Sequence, residues 1–257
     1  GENALGERRF GLLASLQAYG RGGLADCGHA TLDIPAVTST GDVVFNSNGS
    51  LATFNSALED ATDLDLTNLP ELTGLSGFAG LDSVELEGLI VRNTGVTSLE
   101  GLEGVESVTG SMQVVGNVDL PAMTGLDGLT AVSGLIQIVN NEQLASLAGL
   151  ESLADVTAGL EIADSPALTS MAGLDGLVSA GGLTVTGNLG LTSLDGLEAM
   201  TTVDNLLVEN NGNLASIAGI ANVTTVSSAT FRNNPALDSN DVDAWCTTAM
   251  PVSCTNE

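Results

Sequence analysis

The chain contains no lysine, and its basic residues are five arginines at positions 8, 9, 21, 92 and 232. Against these stand 32 Asp and Glu residues, which give a formal net charge of -27. Such a surface repels nucleic-acid phosphates, which proteins bind through several Lys or Arg contacts, and it gains nothing from anionic lipid headgroups. The composition therefore argues against nucleic acids and membrane surfaces as partners.

Long apolar runs and aromatic residues are also scarce. No stretch approaches the roughly 18 consecutive apolar residues of a membrane span, so none is predicted. Aromatic residues make up 3% of the chain, whereas hydrophobic residues of all kinds make up 43%, which is enough to form a core in 257 residues. The chain is therefore expected to fold rather than to form a disordered acidic tail.

An apolar anchor residue that follows an Asn-containing turn recurs at a nearly constant interval. Apart from a first step of 21, successive anchors are 24 or 23 residues apart, and apolar residues within a repeat lie two to four apart. So short a repeat cannot hold two packed helices, and the pattern predicts short strands and tight turns round a narrow core. We therefore expect an all-β, parallel β-solenoid of about nine coils. The anchors are Leu51, Leu72, Val96, Leu120, Leu144, Leu168, Leu191, Leu214 and Leu237.

Each coil contains one strand in which inward and outward residues alternate, and stacked coils form a parallel sheet. Polar residues that follow the strand are interpreted as structural, since they can bond backbone groups of their own coil and the next. Glycines at a second turn are interpreted as backbone requirements. The predicted inward pairs are Val43/Phe45, Leu64/Leu66, Leu89/Val91, Met112/Val114, Ile136/Ile138, Leu160/Ile162, Leu183/Val185, Leu206/Val208 and Ala229/Phe231. The polar residues are Asn48, Asn93, Asn117, Asn141, Ser165, Asn188, Asn211 and Asn234, and the glycines are Gly77, Gly101, Gly125, Gly149, Gly173, Gly196 and Gly219.

Residues 41–237 resemble a known family, the leucine-rich-repeat-like L-domain repeats of the insulin and epidermal growth factor receptors and of bacterial and fungal surface proteins. The resemblance rests on recurring blocks such as Asn140-Asn141-Glu142-Gln143-Leu144-Ala145-Ser146-Leu147-Ala148-Gly149-Leu150 and Asn233-Asn234-Pro235-Ala236-Leu237. It implies a right-handed solenoid, capped at both ends, that is displayed outside the cell to bind or adhere. The chain has more coils and far fewer cysteines than the receptors, so no ligand is carried over.

The two ends of the solenoid are expected to be capped, because an open sheet edge invites polymerisation. Residues 1–40 are predicted to form an amphipathic helix and cap, since Leu5, Leu12, Leu16 and Tyr19 recur at helical spacing. Residues 41–237 form the repeat domain, and residues 238–257 form a carboxyl-terminal cap that begins with a short helical segment.

The three cysteines divide between the two ends. Cys246 and Cys254 close a small loop and are predicted to form a disulfide, which points to an oxidising compartment and to an extracellular or cell-surface location. Cys27 would lie about 40 Å away at the other end of nine coils. It is therefore free, buried or paired with another chain.

The residues give little support for catalysis. Parallel β-helices include polysaccharide lyases and hydrolases, whose sites combine carboxylates with Arg, Lys or Tyr. Here Arg92 and Arg232 are the only cations in the repeats, Tyr19 lies outside them, and the single histidine, His29, has no nucleophile pattern around it. We therefore expect no enzyme, no catalytic residue and no cofactor, and we keep a carbohydrate-active β-helix as the least favoured alternative.

The outward residues of the strands form the predicted contact surface. We expect a binding or adhesion module that presents this flat face to a protein or surface-glycan partner, because an apolar patch rimmed by polar groups marks contact sites. Two alternatives stay open: a subunit of a filament or surface layer that self-associates through its ends or flat face, and a face that merely carries strand-forming residues. The first outward column is Val44, Asp65, Ile90, Gln113, Gln137, Glu161, Thr184, Leu207 and Thr230, and the second is Asn46, Thr67, Arg92, Val115, Val139, Ala163, Thr186, Glu209 and Arg232.

Five consecutive coils carry a carboxylate seven residues after the anchor, at Glu103, Asp127, Glu151, Asp175 and Glu198. Stacked about 5 Å apart, these acids would repel one another. Screening by salt relieves such repulsion between exposed groups. Alternatively, the row collects divalent cations such as Ca²⁺, which take several oxygen ligands.

Overall fold

The computed structural model describes residues 15–19, 31–34, 41–249 and 252–256, and in it the chain forms a parallel β-solenoid of about nine turns. No helix in this part of the chain is both long and apolar enough to cross a membrane. The strands are β1 (Ser15–Tyr19), β2 (Thr31–Ile34), β3 (Asp42–Asn46), β4 (Thr53–Ser56), β5 (Asp63–Leu69), β6 (Val84–Leu86), β7 (Gly88–Thr94), β8 (Val105–Val108), β9 (Met112–Val115), β10 (Ala131–Val132), β11 (Leu135–Val139), β12 (Asp155–Val156), β13 (Gly159–Ala163), β14 (Ser179–Thr186), β15 (Thr202–Glu209), β16 (Thr225–Arg232) and β17 (Ser253–Asn256).

One row of parallel strands carries the predicted alternation. The row runs β1, β3, β5, β7, β9, β11, β13, β14, β15, β16 and β17, and each strand pairs in parallel with the next. From Val43/Phe45 to Ala229/Phe231, both members of every predicted inward pair are buried, which confirms the predicted pairs. A second row, β6, β8, β10 and β12, runs beside the first and joins it at β14.

The corner between these two rows differs in length from coil to coil. In a 24-residue coil, Val156 of β12 and Leu160 of β13 are four residues apart, and the two strands are distinct. In a 23-residue coil, Ala180 and Leu183 are three residues apart and lie in one eight-residue strand, β14. The shorter corner leaves the inward positions on both sides in place and joins the two strands at β14. At Leu86 and Leu89, which are also three residues apart, β6 and β7 remain separate strands.

The core is a continuous column of aliphatic side chains with few aromatics. From Leu144 to Val156 a buried residue stands at every third position, and the strand adds Leu160 and Ile162. Equivalent residues of successive coils stack on one another in a single cluster. Because every coil contributes similar apolar area, burial of these side chains drives the stacking itself.

Five asparagines of this row donate to backbone carbonyls of the preceding coil, whereas bonds to their own coil and the next were predicted. Asn141 donates through Nδ2 to the carbonyl of Val114 at 2.8 Å and accepts the backbone N–H of Asn117 at 2.9 Å. Ser165 occupies the same buried row. The assignment of Asn93 to this row is wrong, because Asn93 is exposed and Thr94, three residues after Val91, is buried and bonds Asn117 instead.

The residue before this row adopts a left-handed backbone conformation in every coil. Asn93 has a φ of 51°, and glycine, Asn, Asp or Ser stands at the equivalent positions of the other coils. Asn and Asp tolerate this conformation better than other residues with a Cβ. These positions are Ser47, Asn68, Gly116, Asn140, Asp164, Gly187, Asn210 and Asn233.

The glycines of the second turn are required by the backbone, as predicted. At Gly149 φ is +107°, and a Cβ would lie 2.2 Å from the carbonyl oxygen of Met123 on the preceding coil. Gly101, Gly125, Gly173 and Gly196 share this conformation. Gly77 and Gly219 instead lie in single 3₁₀ turns, Ser76–Phe78 and Ala218–Ile220.

The helical cap predicted over residues 1–40 is not supported. Ser15–Tyr19 is strand β1, which pairs in parallel with β3, and Thr31–Ile34 is strand β2, which pairs with β4. Pairing with the next coil fixes an extended backbone in β1 although the apolar spacing there suits a helix. Leu5 and Leu12 of the predicted helix lie outside the described residues.

A helix and a strand close the carboxyl-terminal end, as the sequence indicates. Helix α1 (Ser239–Ala249) buries Val242, Trp245 and Ala249. Trp245 donates to the carbonyl of Ile220 at 2.8 Å and packs edge-on against Phe231. The predicted disulfide is present: Cys246 of α1 is bonded to Cys254 of β17, with Cα atoms 6.1 Å apart.

Candidate interaction face

The outward residues of strands β3 to β16 lie in two columns, which together we call the strand face. Ile90, Gln113 and Gln137 are direct partners across neighbouring strands, as are Glu161, Thr184, Leu207 and Thr230 further along. The second column runs in the same register through Arg92, Val115 and Val139. All the residues predicted to bind a partner therefore stand side by side on one surface.

The apolar members of the strand face are less exposed than predicted. Ile90, Val115, Val139 and Leu207 are half-buried, and Ala163 is buried. The most exposed large apolar residues lie mainly elsewhere, at Val118, Val178, Leu189 and Val252.

Leu135 is a member of this surface that the sequence analysis missed. It begins β11, two residues before Gln137, and 36% of it is exposed. Its partner on the next strand is Gly159, so that no side chain stands beside it on that side. The alternation of β11 puts Leu135 on the same side as Gln137, which is the signal that could have identified it.

A row of hydrogen bonds runs along the centre of the strand face. Arg92 donates to Gln113, Gln113 donates to Gln137 at 3.1 Å, and Gln137 donates to Glu161 at 2.8 Å. The row begins with a cationic donor and ends with an anionic acceptor, so every amide in it both donates and accepts. Because the amides of Gln113 and Gln137 are already paired, covering them costs little hydrogen bonding.

Both arginines of the described chain lie in the second column of the strand face. Arg232 forms an ion pair with Glu209 at 2.7 Å, and this hydrogen bond and its charge hold the pKa of Glu209 below its ordinary value. Arg92 is within ion-pair distance of no carboxylate among the described residues, and its Nε is buried without a hydrogen-bond partner there.

The five acids after the anchors have a local structural role that was not predicted. Glu151 accepts the backbone N–H of Gly149 at 2.8 Å, and Glu103, Asp127, Asp175 and Glu198 accept the equivalent glycine N–H. Where alanine replaces the acid, at Ala79 and Ala221, the turn is a 3₁₀ helix. No group of three or more His, Cys, Asp or Glu able to hold a metal ion is present among residues 15–19, 31–34, 41–249 and 252–256.

Acids also cluster at the amino-terminal edge of the strand face. Asp63 is the direct partner of Asp42 and lies near Asp65 and Glu87. Partial burial and, secondarily, these neighbouring carboxylates raise the pKa of Asp63 above its ordinary value. This edge therefore concentrates carboxyl groups.

An open groove of about 680 Å³ lies at the opposite end, beside the carboxyl-terminal cap. Leu189, Pro235 and Leu237 line it together with asparagine amides. The side-chain amide of Asn233 donates to Asn210, and that of Asn256 donates to Ser239 and Asp243.

Cys27 and His29 lie outside the described residues.

Comparison with known proteins finds no family model and no curated protein that matches the chain. The solenoid architecture therefore rests on the structure, and the resemblance to receptor L-domain repeats stays a prediction from the residues.

Proposed function

We propose that the protein is a non-catalytic binding or adhesion module, extracellular or displayed at a cell surface, whose contact surface is the strand face. The observation that carries this proposal is the single register of the face. Ile90, Val115 and Val139 lie beside the row of hydrogen-bonded side chains. The two amides of this row, those of Gln113 and Gln137, are already paired within the protein. Such a face can be covered by a flat partner at little desolvation cost.

Two further features support a location outside the cell. The disulfide between Cys246 and Cys254 is of the kind that persists in oxidising compartments. The repeat blocks resemble receptor L-domain repeats, and we propose that the coils are right-handed solenoid turns of that type. The partner would then be a protein or a surface glycan.

The proposal is tested by adhesion of protein-coated beads to cells and extracellular matrix of the native source. Ile90→Asp combined with Val139→Asp places two charges on the strand face and should abolish adhesion. The matched control is Val118→Asp combined with Val178→Asp, since these valines are 44% and 45% exposed and lie outside the strand face. Circular dichroism verifies that both variants fold. Full adhesion by the strand-face variant would refute the proposal.

The second candidate function is a structural subunit that self-associates. The observation in its favour is the near balance of charge on the strand face, where Asp65, Glu161 and Glu209 stand against Arg92 and Arg232. The molecule as a whole carries a formal net charge of -27. This face is therefore one on which two copies could meet with little local repulsion.

A further inference from the structure

The order of residues along the strand face matters when two copies meet face to face, because one end of the face then lies opposite the other end. Consider two copies placed face to face about a twofold axis that lies in the interface, parallel to the strands, between β11 and β13. Strand β11 of one copy then faces β13 of the other, β9 faces β14, β7 faces β15 and β5 faces β16. Each column faces itself, and every contact occurs twice.

This arrangement brings opposite charges and apolar residues together. Arg92 faces Glu209 of the second copy, and in the neighbouring column Ile90 faces Leu207. The carboxylate of Glu209 can accept from both Arg92 and its own Arg232, since it has two oxygens. Arg92, which has no carboxylate partner in the described chain, thereby gains one.

The centre of the face places larger residues opposite smaller ones. Val139 faces Ala163, and Gln137 faces Glu161. Leu135 faces Gly159 of the second copy, which has no side chain and is buried within its own molecule. The large exposed residue of β11 thus meets the small residue of β13 on both sides of the axis.

Neighbouring registers are much poorer. If the axis moves onto β11, Asp65 faces Leu207 and Arg92 faces Thr186. If it moves onto β13, Arg92 faces Arg232, and the Glu161 side chains of the two copies face each other. Like charges placed opposite one another are destabilising, so the sequence of the face selects one register.

We infer that the strand face binds a second copy of this chain in this twofold arrangement. The inference rests on the proposed function, because it names a partner of the same surface. The face is about 40 Å long and about 12 Å wide, so each copy buries roughly 500 Å², less than the about 800 Å² per partner of a standard interface. The dimer is therefore weak, as suits contacts between molecules held at a surface.

Sedimentation velocity of the full chain over a concentration series provides the first test. The weight-average molecular mass should rise toward twice the monomer mass as the protein concentration increases. The rise should be steeper in about 0.5 M NaCl than in dilute salt, because salt screens the repulsion between two strongly anionic molecules. A chain that stays monomeric up to several hundred micromolar in both buffers would overturn the inference.

Charge reversal tests the register. Arg92→Glu and Glu209→Arg each turn both symmetric contacts repulsive, and each should weaken self-association at least about tenfold. Mixed together, the two variants restore both contacts, so a heterodimer should form at the wild-type concentration. Glu106→Arg, a charge reversal at an exposed residue of β8, is the control and should leave self-association intact. A mixture that stays monomeric where the wild type dimerises would contradict the register.

The bead assay distinguishes failure of this inference from failure of the proposed function. If the strand-face variant loses adhesion while the wild type is monomeric, the face binds another partner and the dimer is wrong. If the wild type dimerises but the variant adheres normally, the dimer stands and the proposed adhesive function is wrong. Circular dichroism melts verify that Glu209→Arg, which loses its ion pair with Arg232, still folds.

Discussion

The backbone N–H of Asn117 donates to the side-chain Oδ1 of Asn141, on the following coil, over 2.9 Å. Asn141 returns a bond from Nδ2 to the carbonyl of Val114, and the whole residue is buried. One side chain thus satisfies a donor and an acceptor that the turn and the strand leave unpaired. The asparagine row is therefore a second set of coil-to-coil hydrogen bonds beside the sheet.

Replacing Asn141 with Ala should lower the free energy of unfolding by about 2–4 kcal/mol, because two buried backbone groups lose their partners. Asn222→Ala is the control, since exposed Asn222 also bonds a backbone carbonyl of the preceding coil. It should cost less than about 1 kcal/mol. Urea unfolding measures both values, and equal losses would mean that burial of the asparagine row contributes nothing.

Gly149→Ala should destabilise the protein by at least about 3 kcal/mol, because it combines a φ of +107° with a Cβ 2.2 Å from the Met123 carbonyl oxygen. Gly74→Ala should be neutral or stabilise by up to about 1 kcal/mol, since nothing lies within 4 Å of its Cβ position. Thermal unfolding of the pair measures the difference. A Gly149 variant as stable as the Gly74 variant would refute the requirement for glycine.

Asp63→Asn and Glu209→Gln should change stability in opposite directions at pH 7. The pKa of Asp63 is raised in the folded protein, so its charge destabilises the fold increasingly as pH rises above about 3.8, and Asn should raise the unfolding midpoint. The pKa of Glu209 is lowered, so its charge stabilises the fold above about 4.5, and Gln should lower the midpoint. Melts from pH 7 to pH 3 should show both differences shrinking. Differences that stay constant with pH would exclude titration of these groups as the cause.

Replacing Cys246 and Cys254 together with Ser should cost about 2–3 kcal/mol, the value expected for opening so short a loop. It should also increase hydrogen exchange in β16, whose outer edge β17 covers. Alkylation without reductant, on protein from the native source, provides an independent check. Two reactive thiols there would contradict the disulfide.

Sodium chloride should raise the thermal midpoint, whereas millimolar CaCl₂ at matched ionic strength should leave it unchanged. The carboxylates of Glu103, Asp127, Glu151, Asp175 and Glu198 are already engaged with their own glycine N–H groups. Screening then relieves what repulsion remains between coils. A rise specific to calcium would support the cation-binding alternative.

The sequence predicts one strand of each coil well, because inward residues alternate with a period of two. The second row, β6, β8, β10 and β12, was not predicted. The pairs from Val43/Phe45 to Ala229/Phe231 follow from that alternation alone. Asn93 was misplaced because its coil has one residue, not two, between Thr94 and the anchor Val96. At β1 the same residues suit a helix or a strand, and only pairing with β3 decides between them.

The strand face is predicted less completely than the strands. Register identifies which residues point outward. The row of hydrogen bonds that begins at Arg92 and ends at Glu161 depends instead on side-chain geometry that no sequence pattern encodes. The role of the acids could have been found. A Gly-x-acid triplet recurs in five coils, and Ala79 and Ala221 replace the acid in the two coils whose turns are 3₁₀ helices.

The bond from Trp245 to the carbonyl of Ile220 recognises a backbone group that every coil presents at the same place. Leu197 stands in that place one coil earlier, and Val208 stands where Phe231 packs against the indole. The cap is therefore a transferable module: joined after an earlier anchor, it would find the same acceptor and a smaller packing partner. Gene duplication or deletion of whole coils could change the length of the rod without redesigning its end.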